Sequence, residues 1–220
     1  MNKQLRVPEP MGSLPQNIIT IGNQEVKVVM SLKFPRIAMF DNFMTASECE
    51  FMVRMAEPLM VPSQTMNKAG TATEGNDLRT SSGCVIPHAD NAFIEELDLR
   101  VAMLCNWDPL RTEPFHVLRY QEGEEYKPHF DFFIPRPDVG PPGRGGQRLG
   151  TLITYLREPE QGGGTWFPDI GLELRPKVGS AIFFSYPNLF FSKNTIHAGL
   201  PVLAGEKWVA TRWFREGPVL

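Results

Sequence analysis

The sequence predicts a mainly β (α+β) fold, a double-sheet jelly roll supported by helices that precede it. From Pro114 to Arg215, runs such as Phe115–Gln121, Leu149–Leu156, Ala181–Ser185 and Trp208–Phe214 are separated by turns and show little helical period. Upstream, two segments repeat apolar residues at helical spacing instead. At 220 residues the natural count is one domain with a substantial core. The expected division is an N-terminal extension or hairpin over 1–30 and a single domain over 31–220. Within that domain, 31–113 would be helical support and 114–216 the jelly-roll core.

In chain order, Asn17 to Met30 alternates around Gly22-Asn23 and reads as a hairpin. Phe34–Phe43 reads as a strand entering a turn. Thr45 and Glu48 have capping-box spacing: the hydroxyl caps a helix and the carboxylate three residues on returns the bond. That helix should run to about Ala56 and stop before Pro58. Val61 to Asp77 is rich in Ser, Thr, Asn and Gly, which predicts a mobile loop. Arg79–Ile86 reads as a strand with a polar start. Asp90 is the expected cap of a second helix, with Ile94, Leu97, Val101 and Leu104 on one buried face.

Composition narrows the class of partner. Apolar content of 42% and charged content of 21% are ordinary for a soluble globular chain. A net charge of −3 with no basic stripe argues against nucleic acid. No apolar stretch approaches the roughly 20 residues that span a bilayer, so no membrane partner is expected. Met1–Pro10 lacks the apolar core of a secretory signal. Cys49, Cys84 and Cys105 suit neither a disulfide framework nor a zinc site, which points to a reducing cytoplasm. The oligomeric state is left open.

The chemistry lies in Tyr126-Lys127-Pro128-His129-Phe130-Asp131. On a strand, residues two apart share a face, so His129 and Asp131 would enter one space with Phe130 opposite. An isolated H-x-D pair is common by chance and needs a third ligand. Of the four histidines, His197 follows the strand-like Gly179–Phe184 and is the candidate. Two imidazoles and one carboxylate form the facial triad that leaves three positions open on non-haem Fe(II). Ten residues on, Lys207 would return on a neighbouring strand as counter-charge for a dicarboxylate co-substrate. His88 and His116 are assigned to structure.

The ordered set Leu118-Arg119-Tyr120, Gly123, Tyr126, Pro128-His129 and Asp131, then Thr151–Leu156, then Gly162–Pro168, His197-Ala198-Gly199 with Pro201-Val202, and Gly205 with Lys207-Trp208 resembles the 2-oxoglutarate- and Fe(II)-dependent dioxygenases of the prolyl 4-hydroxylase type. The resemblance implies a double-stranded β-helix (jelly roll, cupin-like) core. It implies Fe(II) on His129, Asp131 and His197, with 2-oxoglutarate and O₂ as co-substrates and ascorbate as a reductant. Lys207 would pair with the distal carboxylate of 2-oxoglutarate, helped by Tyr120 and by Thr165. A carboxylate at Asp131 points to hydroxylation, because related halogenases have a small residue there.

The resemblance also implies substrate contacts from Arg79, Ser81, Glu113, Tyr126, Arg148 and Trp213. Tyr and Trp suit an extended proline-rich peptide, since a polyproline II helix docks on aromatic grooves. The chain departs from the pattern at Arg215, where peptide hydroxylases often have histidine. The Pro- and Gly-rich 135–146, which follows the metal strand, is expected to order over substrate. The leading expectation is therefore hydroxylation of peptidyl proline at C4 with release of succinate and CO₂. Two alternatives remain: a hydroxylase of a free amino acid or small metabolite, clamped by Arg79 or Arg148, and a jelly roll that binds without turnover.

Overall fold

The computed structural model describes residues 7–10, 17–66, 72–74, 78–134, 143–186 and 192–219. Strands β1 (Ile18–Ile21), β2 (Gln24–Leu32) and β3 (Ile37–Asp41) lead into helix α1 (Ala46–Ala56). Then come β4 (Val61–Pro62), β5 (Gln64–Met66), β6 (Ala72–Glu74), β7 (Ser82–Ile86) and helix α2 (Ala92–Cys105). The remainder runs β8 (Phe115–Tyr120), β9 (Tyr126–His129), β10 (Arg148–Arg157), β11 (Gln161–Gly162), β12 (Thr165–Phe167), β13 (Leu172–Leu174), β14 (Ala181–Ser185), β15 (His197–Gly199), β16 (Val202–Ala204) and β17 (Lys207–Arg215).

Two antiparallel sheets form the jelly roll. The larger has nine strands in the order β1-β2-β3-β14-β10-β17-β8-β7-β4, and the smaller has four, β13-β12-β15-β9. The large sheet is covered on both sides, which is why β10, β14 and β17 read as nearly unbroken apolar runs. Parity sorts their side chains. Leu152, Phe183, Trp208, Ala210 and Phe214 pack in the core that includes the helices, while Ile153, Tyr155, Ile182, Phe184 and Val209 face the second core inside the barrel.

The two helices are joined to each other by a part-buried ion pair. Thr45 and Glu48 form the capping box at α1, and Glu48 also takes a two-point ion pair from Arg100 of α2 at 2.7 and 2.9 Å. Ile94, Leu97, Val101 and Leu104 are buried as their spacing predicts. The cap of α2 is Asn91 rather than Asp90: its side chain accepts from Phe93 and Ile94 N–H. Asn and Asp cap about equally well, so residue type alone does not rank these neighbours.

Other expectations shift as well. The loop expected over Val61–Asp77 contains β4, β5 and β6, with β5 and β6 paired as a small hairpin, so strand pairing overrides its polar composition. The strand expected from Arg79 begins at Ser82, and Arg79 keeps a single bridge to Tyr126. The expected hairpin at Asn17–Met30 is present, with Gly22 at a φ of 58° in its turn. At Gly179, φ is 77° and an added Cβ would lie 2.1 Å from the Met44 carbonyl oxygen, so only glycine fits there. Of the Pro- and Gly-rich segment, 135–142 lies outside the described residues.

Behind the barrel, Arg212 is fully buried and ion-paired to Asp98 of α2. It also donates to the Glu113 carbonyl at 2.7 Å and lies 3.6 Å from the Phe115 ring centroid. Asp98 accepts from His88 at 2.9 Å, so His88 belongs to this structural knot. Removing one member of a buried pair strands the other charge, at about 3–5 kcal/mol. Asp98→Asn is accordingly expected to destabilise the protein by that order in urea unfolding; a change below about 1 kcal/mol would mean the pair holds nothing together.

Candidate active site

Strand pairing assembles the metal ligands. His129 on β9 and His197 on β15 are register partners across the small sheet, with ring centroids 4.3 Å apart. Asp131 lies just beyond the end of β9, its carboxylate oxygens 3.5 Å from His129 Nε2 and 3.7 Å from His197 Nε2. One ligand atom from each of the three lies within 4.8 Å of the others. The strand expected through Asp131 stops at His129, so alternation breaks and Phe130 also lines the cavity rather than lying opposite. Among the described residues no other group of His, Cys, Asp and Glu has metal-site spacing.

The donors suit a ferrous ion. Each imidazole Nδ1 meets a backbone carbonyl, His129 that of Lys127 at 2.9 Å and His197 that of Thr195 at 3.1 Å. A carbonyl only accepts, so each Nδ1 carries a proton, and Nε2 is the ring nitrogen left facing Asp131 as the candidate metal ligand. Burial first, then His129, pulls His197 down to about 4, which keeps it neutral and able to ligate. Burial opposes the charge of Asp131, but His197, His129 and Arg148 together hold its carboxyl far below the usual range. The result is an anionic, two-nitrogen, one-oxygen set of the facial-triad kind.

The triad opens on a cavity of about 480 Å³. Deeper in the barrel lies Lys207, 3% exposed, opposite Tyr120 in the β17–β8 register. Its ammonium sits 5.3 Å from the Tyr120 ring and 5.7 Å from the Tyr155 ring. No carboxylate among the described residues pairs with it. Gly163, with a φ of 67°, lets the chain pass the lysine stem, since a Cβ there would lie 3.3 Å from Lys207 Cδ. Burial alone drives the lysine down to about 7, a cost on the order of 5 kcal/mol for holding it charged. A buried cation without an acid is a place where an anionic group from outside the chain could be held.

Thr165 lies on the cavity wall, with its hydroxyl 2.6 Å from the Tyr155 phenol. Tyr120 lines the wall as well, and its phenol bonds to Ser81. Around the mouth, the Tyr126 ring stacks on His129 at 3.5 Å, and the Arg79 guanidinium lies 5.1 Å from the Tyr126 ring. Arg148 lies 3.8 Å from the Trp213 ring. Ser81 and Glu113 are not on the cavity wall. Ser81 accepts from Arg79 Nε at 3.0 Å, and Glu113 holds Arg148 at 2.7 and 2.8 Å and Arg215 at 2.8 Å. Arg215 in turn binds the Arg144 and Gly146 carbonyls.

Sequence reasoning missed four residues here. His116 was assigned to structure, yet it lines the cavity beside Trp213 at 5.5 Å between ring centroids. Burial first, then Arg79, lowers it to about 4. Its parity with Leu118 and Tyr120 on β8 was the available signal. Tyr155 and Thr151 share the inward row of β10 with Ile153, and a polar residue in such a row is a signal in itself. Tyr186, one residue past β14, carried none.

Residues 115–215 match the 2OG-Fe(II) oxygenase superfamily. Prolyl 4-hydroxylase 1 of Arabidopsis thaliana is 33% identical over 217 residues, covering 90% of this chain and 75% of its own. Probable prolyl 4-hydroxylase 8 of the same plant is 32% identical over 202 residues, covering 82% and 68%. Among solved structures, the viral collagen prolyl hydroxylase of Paramecium bursaria Chlorella virus-1, in its 2OG complex, superposes with a TM-score of 0.65 at 27% identity, covering 81% of this chain and 95% of that one.

Fold and site thus define a mononuclear non-haem iron oxygenase on a double-stranded β-helix. Within that class the chain belongs to the 2OG-Fe(II) oxygenase superfamily, in its prolyl 4-hydroxylase-like group. It is a dioxygenase that uses Fe(II), 2-oxoglutarate and O₂.

The buried lysine sets a pH signature. Unfolded, it keeps its proton to about 10.5, and folded only to about 7. Between these values the unfolded state binds more protons, so this group makes the ligand-free protein more stable as pH rises through the window. Lys207→Met is expected to raise the melting temperature of the ligand-free protein at pH 6.5 or below, where the ammonium is charged in both states (roughly 4 °C per 2 kcal/mol recovered). It should also abolish 2-oxoglutarate binding. A lower melting temperature with unaltered 2-oxoglutarate affinity would contradict this assignment.

Proposed function

We propose that this dioxygenase hydroxylates proline at C4 within a peptide or protein. The observation that carries the reading is the cavity mouth, where Tyr126, Phe130, Phe133 and Trp213 lie among Arg79 and Arg148. Arg79 Nη2 and Trp213 Nε1 are buried donors without a protein partner. A polyproline II segment presents ring faces to such aromatics and keeps its backbone carbonyls unpaired. The relatives named above as prolyl 4-hydroxylases support the same substrate. A cytoplasmic location and ascorbate as reductant belong to this reading too, the three cysteines being free and buried.

In this reading His129, Asp131 and His197 hold Fe(II), and Lys207 pairs with the distal carboxylate of 2-oxoglutarate. The Tyr120 and Tyr155 rings flank that lysine, and Thr165 is bonded to the Tyr155 phenol. Bound there, the ferrous centre supplies O₂ activation coupled to decarboxylation of 2-oxoglutarate to succinate and CO₂, ending in hydroxylation of a C–H bond. The protein fixes and shields the reactants. Leu118, Ile153 and Val209 dry the interior wall and strengthen the Lys207–carboxylate attraction. Tyr126 buttresses His129 face to face. Glu113 holds Arg148 against Trp213, and burial of the acid is outweighed by those arginines, which keep it ionised.

Presenting the Fe(II)-loaded enzyme and 2-oxoglutarate with (Pro-Pro-Gly)-type peptides and, separately, with free proline tests the substrate. The peptide should gain the mass of one oxygen per hydroxylated proline while free proline stays unchanged. Oxygen gained on free proline alone would overturn the reading. Trp213→Ala should raise the peptide KM on the order of tenfold, equivalent to about 1.4 kcal/mol, and leave the 2-oxoglutarate KM in place.

A further inference from the structure

Two hydroxyl groups stand in line behind the metal-binding carboxylate. Thr151 Oγ1 lies 2.7 Å from Asp131 Oδ2 and 2.6 Å from the Tyr186 phenol oxygen. Their direction is fixed by valence. An ionised carboxylate only accepts, so Thr151 gives its one proton to Asp131, and Tyr186 must then donate to Thr151. Thr151 and Tyr186 are at most 1% exposed.

Both donors are rigidly placed. Thr151 sits mid-strand on β10, paired with Phe184 on one side and Trp213 on the other. Tyr186 is tied to β10 through its N–H on the Leu149 carbonyl at 2.8 Å. Its ring packs edge-on against Phe132 at 5.4 Å and Phe184 at 5.9 Å. An aspartate side chain otherwise rotates in a broad, roughly two-fold well. A threonine hydroxyl in a dry inward row is costly unless bonded, so its presence here is matched to Asp131.

We propose that Tyr186 and Thr151 are positioning residues that fix the rotation of the Asp131 carboxylate, with Oδ1 3.5 Å from His129 Nε2 and Oδ2 3.7 Å from His197 Nε2, and that by occupying Oδ2 with a hydrogen bond they favour a one-oxygen ligand. The distinction matters because six positions surround the ion. Two imidazoles and one carboxylate oxygen leave three for 2-oxoglutarate and O₂, whereas a chelating carboxylate would leave two. The inference rests on the iron site and is independent of which substrate is hydroxylated.

The test therefore needs no substrate. Fe(II) affinity is measured anaerobically for the unmodified protein, Thr151→Val, Thr151→Ser and Tyr186→Phe, and the visible band of each is recorded after 2-oxoglutarate is added. Thr151→Val should bind Fe(II) about 10- to 100-fold more weakly, as loss of a ligand's own hydrogen-bond partner does elsewhere, and should show a weakened, displaced band. Thr151→Ser, which restores the hydroxyl, should bring both back. Tyr186→Phe should lose affinity in the same direction by a smaller factor. Unmodified affinity and an unmoved band in Thr151→Val and Tyr186→Phe would overturn the proposal. Should Thr151→Val fail to fold by circular dichroism, Tyr186→Phe, which removes a single oxygen, decides the question alone. If the unmodified protein takes up no Fe(II), the iron assignment falls and the positioning role with it.

Discussion

A buried acid set between two imidazoles, and a buried lysine that no carboxylate among the described residues pairs with, are the constraint on which the rest depends. Asp131 faces two imidazoles, of which His197 is held neutral, and Lys207 faces aromatic rings. Charge in a dry interior is tolerated only when something answers it. In the function proposed above, the answering groups come from outside: a divalent cation for the acid and a dicarboxylate for the lysine. The penalty on the order of 5 kcal/mol at Lys207 is comparable to the whole stability of a small domain. It persists because two large cores support it, as activity-bearing sites commonly cost stability.

Those cores also explain how the site is held. Each central strand sends alternate residues to the helix layer and to the barrel interior, so β17 aims Arg212 one way and Lys207, Thr211 and Trp213 the other. The helix-side residues are locked by apolar packing and by the Asp98–Arg212 pair, which leaves the inward row little freedom to shift. The small sheet contributes the two imidazoles through a single register pair. A one-residue slip of either strand would turn a ligand to the opposite face, so pairing register and metal geometry are one requirement.

Much of this was legible in the sequence. The H-x-D spacing, His197 and the later Lys207 require only strand parity and chain return, and the structure brings these four side chains to one cavity. The capping box at Thr45 and the buried stripe of α2 are local patterns and are found in place. What stayed hidden depends on contacts between segments far apart in sequence. Glu113 reads as a substrate acid until its oxygens are seen committed to Arg148 and Arg215. Tyr186 gains meaning only because its phenol reaches Thr151, 35 residues away. Phe130 faces the cavity because the strand ends at His129, two residues short of the alternation expected through Asp131.

The central claim is that residues 129, 131, 197 and 207 act on one ferrous ion and one co-substrate. Its most direct measurement is anaerobic titration of 2-oxoglutarate into Fe(II)-loaded protein, following the weak visible band that chelation produces. The account predicts saturation at one equivalent per chain, with the band abolished in folded His129→Ala and in folded His197→Ala. A band that survives either substitution, or none in the unmodified protein, would contradict it.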